Sequence, residues 1–507
     1  MSKFFSKRWT ARLAASFVAT FISSAVASDP LDLGARRELF LDDYLVASME
    51  NVELLTHRPE RKELVMVFDK EWEGEGQNYF AALYDGQKYR LYYHAWGQAN
   101  NHPLTIACIE SDDGVNWTHP KYGICEFNGS TANNIVVKEV KPGVSAHDFS
   151  PFLDQKPGTP DDEKFKALGF GYDLNDPSRN GLYAWKSPDA VHWTLIQEEP
   201  AYTQGKFDTQ NISFWSVAEN CYVLYYRDFN GPTRVIKRAV SDDYLHWTDQ
   251  GEIQYPNGDG PIERVQFYTN QVAPYYRAPH LYVGFPTRYV DNGMTASTPL
   301  LPEWEERQER IKAFEQRLGT AVTDAVFMSS RDGVNFTLSN DVFVAPGLRT
   351  AHNWFYGDNY LSWNVMETNS VDDDSPKELS IYATESYQTQ GDSRLRRYTL
   401  RIDGFGSIHA KSREGVAQTK SLIFAGNELS LNVATSAAGY VRVEVLLEDG
   451  SVAPGFSAED CDLIYGDSLD RRVSWKGSKD MSSLAGRAIS LRFVMKEADI
   501  YSLKWEE

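Results

Sequence analysis

One eight-residue pattern occurs four times in this chain: SDDGVNWT at Ser111–Thr118, SPDAVHWT at Ser187–Thr194, SDDYLHWT at Ser241–Thr248 and SRDGVNFT at Ser330–Thr337. A short unit that recurs at irregular intervals marks one supersecondary module with variable loops, the organisation of propeller blades. Several β-rich runs precede each copy, among them RLYYHAW, YVLYYRDF and HLYVGFPTRY, dense in aromatic and β-branched residues and bounded by turn formers. Within a copy, Ser and Asp can accept hydrogen bonds from backbone N–H groups of a turn, and Asn or His at the sixth place extends that network. The Trp or Phe then folds back between neighbouring sheets. The pattern is a packing device, repeated because each blade meets the same packing problem.

Four copies imply more than four blades. NYLSWNVMET, ELSIYATES and RLRRYTLRID follow the last copy and make a fifth blade without the aromatic staple. An exposed edge in the last sheet calls for a closing strand, and RELFLDDYLV (Arg37–Val46) is the expected donor. From about Lys411 the chain alternates strands and Gly or Asp turns without the repeat, which reads as a β-sandwich. The expected fold is all-β: a five-bladed β-propeller over 36–405 followed by a C-terminal β-sandwich over 411–507. Residues Pro302–Gly319, charged and with apolar residues at helical spacing, are expected to form an amphipathic helix inserted in the fourth blade.

The N-terminus has Lys3, Lys7, Arg8 and Arg12 ahead of a short apolar stretch ending in Ala25-Val26-Ala27. This predicts a signal peptide over 1–27 and a secreted or periplasmic protein, with no membrane span. A net charge of −20 disfavours nucleic acid and anionic membranes as partners. Aromatic residues at 13% suit both strands and a sugar-binding surface. Cys108 and Cys125 could pair if their strands are neighbours, whereas Cys221 and Cys461 read as buried thiols. No zinc-ligand spacing is present. Oligomeric state is left open.

A propeller with Ser-x-Asp-x-x-x-Trp staples and an appended sandwich resembles the invertase-like glycoside hydrolases of family 32 and the related family 43. FDTQNISFW, YYRAPHLYVGFPTRY, FMSSRDG and RRYTLRIDGF look more closely like secreted bacterial proteins termed family-32-like. The resemblance implies a carbohydrate substrate, glycosidic-bond hydrolysis by two carboxylates in the propeller funnel, and no organic cofactor; a structural calcium would be compatible with it. Asp208 in FDTQNISFW resembles the Asp of the family's Arg-Asp-Pro segment, with Phe207 in place of Arg and Thr209 in place of Pro. The first blade lacks the family's Asn-Asp-Pro-Asn nucleophile segment, offering only Glu75, and the Glu-Cys acid segment is missing too. That absence supports two other readings, a non-catalytic carbohydrate-binding propeller or a glycoside phosphorylase.

Glycoside hydrolysis needs two carboxylates facing one bond. Acids at the expected starts of inner strands are therefore the catalytic candidates: Asp208, Asp148, Glu263, Asp324 and Asp358. His147, Gln210, Asn270, Arg277, Arg288, His352 and Trp354 stand beside them as expected substrate-binding residues. Arg227, Arg277, Arg288 and Arg331, at strand ends or in the last repeat, would suit an acidic or sulfated sugar or else structural ion pairs.

Overall fold

The computed structural model describes residues 29–97, 104–258, 260–262, 264–313, 315–371, 374–387 and 393–506. The expected signal peptide and Glu263 lie outside the described residues. The chain is nearly all-β, the two α-helices among the described residues being Trp304–Ala313 and Arg317–Thr320. The insertion expected as one helix is thus two, meeting near Glu315. Arg307 is fully buried there, donating to the carbonyls of Pro302, Gly319 and Trp354.

Five sheets of four to six strands follow one another in a β-propeller-like arrangement. Their inner edges are sewn together around the axis. The Trp363 N–H donates to the Phe80 carbonyl at 2.7 Å, and its indole Nε1 donates to the Val272 carbonyl at 2.9 Å. Gln271 Nε2 donates to both Gln210 Oε1 (2.7 Å) and the Leu361 carbonyl (2.6 Å), while Gln210 Nε2 reaches the Phe80 carbonyl at 3.2 Å. Gln210 and Asn270 are buried, and their side-chain amides donate to the backbone carbonyls of Phe80 and Tyr225.

The repeat acts as a clasp between sheets. In the first copy, Asp113 Oδ1 accepts from the backbone N–H of Val115 and Asn116, and Gly114 N–H donates to Ser111 Oγ at 2.9 Å. The other three copies repeat the Asp contacts. Position four takes a left-handed backbone in all of them: Gly114 at φ 76°, Ala190 at 64°, Tyr244 at 72° and Gly333 at 71°. That twist turns its carbonyl toward the adjoining sheet. Tyr382 donates to the Gly114 carbonyl, Tyr92 to that of Ala190, and Tyr225 to that of Gly333. The copy's aromatic ring packs on the same tyrosine edge-on, as in Trp117–Tyr382 (5.4 Å, 89°) and Phe336–Tyr225 (6.0 Å, 85°).

The closing strand differs from expectation. Glu60–Val67 completes the fifth sheet by pairing with Arg394–Arg401. Arg37–Val46 contributes Glu38–Leu39 instead, paired with Leu503 and Ser502 in the C-terminal strand. The physical reason is burial. Leu39, Phe40 and Leu45 are each at most 1% exposed, which an outer edge strand cannot offer, whereas Glu60–Val67 is exposed or half-buried throughout. Strands within 31–56 join those of 406–506 in one ten-stranded sheet, so this layer is built from both ends of the chain rather than from 411 onward. Its centre is the pairing of Glu428–Leu447 with Ile489–Glu506. All four cysteines are free. The Cys108–Cys125 pairing that the sequence left open is not formed, with Cys108 fully buried near the Tyr122 hydroxyl.

Candidate active site

A cleft of about 1050 Å³ opens beside the inner strands of the propeller-like sheets. Asp208 lies in its wall, on the loop entering the third sheet. Gly205 begins that loop, where any Cβ would meet the Phe207 ring at 2.5 Å. Lys206 and Arg227 then hold each other, Lys206 N–H to the Arg227 carbonyl (3.0 Å) and Arg227 Nε to the Lys206 carbonyl (2.9 Å). Asn211 Nδ2 caps the carbonyls of Phe207 and Thr209, both at 2.9 Å, and Thr209 Oγ1 donates to the Tyr268 carbonyl at 2.8 Å. The loop is thereby fixed, and Asp208 projects with two thirds of its side chain open to the cleft water.

Asp208 meets His147 Nε2 at 3.1 Å and Arg227 Nη2 at 3.7 Å. Enclosure by the cleft walls raises its pKa. The hydrogen bond and charge of His147, with Arg227 and His94, outweigh that and hold the carboxyl down at about 2. His147 Nδ1 has no hydrogen-bond partner, and its ring lies 4.9 Å from that of His94 and 5.9 Å from that of Tyr79. Much of the rest of the wall is aromatic, including Tyr79, Trp96, Phe170, Tyr268, Tyr356 and Tyr387. Tyr79 keeps a left-handed backbone (φ 55°) although it is not glycine, a strain of about 1–3 kcal/mol located at the cleft wall. In the first sheet, where the family pattern would place a carboxylate, Tyr79, His94 and Trp96 face the cleft, and Glu75 does not line it.

The other expected residues separate. Asp148 is buried behind His147, its Oδ1 4.0 Å from Nδ1, and accepts from Phe170 N–H (3.0 Å) and Asn211 N–H (3.1 Å). Burial pushes its pKa to about 7 against His147 and these donors. Asp358 is likewise buried and accepts from the N–H groups of Phe355 and Tyr387, both at 3.0 Å; burial raises it to about 8. Both carboxyls hold backbone that presents cleft residues, and neither lines the cleft. Asp324 sits directly across the ladder from Arg288 and takes a bidentate pair at 2.8 and 2.6 Å, facing a separate cavity that Trp354 also lines. Arg277 pairs with buried Asp403, Arg331 with Glu38 and Asp42, and His352 Nδ1 lies 3.1 Å from Ser386 Oγ. Among the described residues, Glu315 is the second carboxylate of the cleft lining, and it pairs with Arg317 at 2.6 Å. The sequence reading missed Tyr79, Arg234, Glu315 and Arg317; the helical insertion was the available signal for the last two.

A stability prediction follows from Asp148 and Asp358. Each holds its proton in the native chain up to about 7 and 8, but when unfolded only up to the ordinary 3.8. The native state therefore binds more protons between those values, and stability falls as pH rises through the window. The denaturant midpoint is expected to be lower near pH 8 than near pH 5. A midpoint that climbed across that range would mean both carboxyls are ionised when folded.

No family model matches this sequence. A levanbiose-producing levanase of Bacillus subtilis (strain 168) is 30% identical over 114 residues, which are 22% of this chain and 18% of the levanase. This chain therefore matches well under two thirds of that relative's length. A fructofuranosidase from Schwanniomyces occidentalis complexed with fructosylnystose aligns with a TM-score of 0.41 and 11% identity, over 88% of this chain and 97% of that one. A thermostable family-43 glycoside hydrolase aligns with a TM-score of 0.40 and 12% identity, over 66% and 92% respectively. This chain is thus similar, at low identity, to a levanase, a fructofuranosidase and a family-43 glycoside hydrolase.

Proposed function

We propose that this protein hydrolyses glycosidic bonds in oligo- or polysaccharides, in the cleft that holds Asp208. The observation that carries this reading is the Asp208–His147 pair at 3.1 Å in an aromatic-walled cleft. A carboxylate held ionised serves as nucleophile or as base toward water and cannot be the acid at neutral pH. In this reading His147 positions the Asp208 carboxylate, and the leaving oxygen takes its proton from an acid on the other side of the scissile bond. Trp96 and the cleft tyrosines offer faces on which sugar rings stack. The levanase match is a further support for a carbohydrate substrate.

The same reading takes the five smaller sheets as the five blades of a propeller, the ten-stranded layer as the β-sandwich, and residues 1–27 as the leader of a secreted or periplasmic protein. The chemistry requires no organic cofactor. Among the described residues no group of three His, Cys, Asp or Glu could hold a metal ion, and no helix is long and apolar enough to cross a membrane.

One observation favours a second reading. Among the described residues, Glu315 is the other cleft carboxylate and is already paired with Arg317. A chain that binds sugar without cleaving it would show this arrangement. The test is reducing-sugar release from neutral, uronic and sulfated polysaccharides and their oligosaccharides, alongside binding to the same panel. Release is the expected result. Binding without release from any of them would establish the non-catalytic reading.

A further inference from the structure

The chain carries a formal charge of −20, yet the ionised side chains of the cleft lining are Lys206, Arg227, Arg234 and Arg317 against Asp208 and Glu315. A cationic surface has been concentrated here on an acidic protein. Its arginines are held by aromatic faces more than by acids. The guanidinium carbons of Arg227 and Arg234 lie 5.2 and 5.0 Å from the centroid of one ring, Tyr268. Arg234 also lies 5.1 Å from the Tyr289 ring, and Arg317 5.2 Å from Tyr356.

These cations are incompletely satisfied. Arg234 has no ion pair among the described residues; its Nη1 donates to Gln266 Oε1 at 2.6 Å, and its buried Nε finds no acceptor. Arg317 pairs with Glu315, but its buried Nη1 has no partner. Arg227 reaches Asp208 only at 3.7 Å. Two guanidinium groups on one tyrosine ring repel each other, and buried donors without acceptors carry a desolvation cost. An oxyanion entering the cleft would offset the repulsion. Arginine forks match carboxylate and sulfate oxygens in geometry.

We infer that the glycan taken by this cleft carries an anionic group, a carboxylate or a sulfate ester, seated against Arg227, Arg234 and Arg317. The inference rests on the reading of the cleft as a glycan site, but not on cleavage. It sets Arg234, which has no ion pair among the described residues, apart from Arg277, Arg288 and Arg331, whose charges are already matched by protein carboxylates.

The test is equilibrium binding to the full chain of an oligogalacturonide and its carboxyl-reduced counterpart, and of a carrageenan oligosaccharide and its desulfated counterpart. One charged member is expected to bind about tenfold or more tighter than its neutral counterpart, with the preference shrinking as salt rises. The pair that shows the preference identifies carboxylate or sulfate. Arg234→Gln should remove most of that preference. Arg234→Lys, which keeps the charge but not the fork, should retain part of it, and this guards against a variant that merely misfolds. Equal binding of charged and neutral members overturns the inference, as does binding of none. Cleavage of neutral glycans that requires inorganic phosphate would also overturn it, by assigning the arginines to phosphate. Anion-selective binding without cleavage leaves the inference standing and removes the hydrolase reading, so the two fail separately.

Discussion

Replacing Asp208 with Asn is expected to lower kcat/KM on a cleaved glycan by about 10²–10⁴-fold, the range for losing a positioned acid–base group. The fold should survive, because two thirds of the side chain faces water and its loop is held by Gly205, Asn211 and Thr209 rather than by the carboxylate. Asn keeps the shape and can still contact His147, but it cannot attack or deprotonate. Asp324→Asn is the matched comparison, since that carboxylate pairs with Arg288 facing another cavity, and it should leave kcat/KM nearly unchanged. The pH profile adds a second signature. A carboxyl held at about 2 is ionised above that value and loses its role only as pH falls through it, so no acid limb near the ordinary carboxylate range should come from Asp208. Activity retained in Asp208→Asn and lost in Asp324→Asn would move the chemistry out of this cleft.

The second large effect concerns the ring of sheets. Trp117→Ala removes the ring that joins the first sheet to Tyr382 of the fifth, a site 8% exposed and packed edge-on. Deleting a large buried aromatic costs about 3–5 kcal/mol, and the cavity falls where the ends of the propeller-like arrangement meet. Unfolding monitored by circular dichroism and by Trp fluorescence should shift to markedly lower denaturant. Trp247→Ala, in a copy whose aromatic ring packs on its own Tyr244, is expected to lose less. Equal losses would mean that the clasp at the closure has no special weight.

Much of the architecture was legible because the physics that imposes it is local. Each Ser-Asp-aromatic turn satisfies its own backbone donors within eight residues, so its hydrogen bonds could be read from the letters alone. The helical insertion was visible for the same reason, although its division into two helices was not. The closing strand was misread as Arg37–Val46, because apolar alternation shows that a segment is buried but not what it is buried against. Glu60–Val67, whose half-polar face suits an edge, was passed over by that criterion.

For the site, the sequence by itself offered Asp208 and His147 as candidates at neighbouring expected inner-strand starts. Only the tertiary structure decided what their neighbours do. Asp148, Asp324 and Asp358 read alike along the chain, but two face the interior as hydrogen-bonded supports and one faces a cross-strand arginine. Arg234 and Arg317, more than eighty residues apart, line one cleft with Tyr268 and Tyr356. Local turns are set by adjacent residues through short-range hydrogen bonds. A cleft is set by which sheets meet, and burial and charge there depend on side chains brought together by packing across the ring.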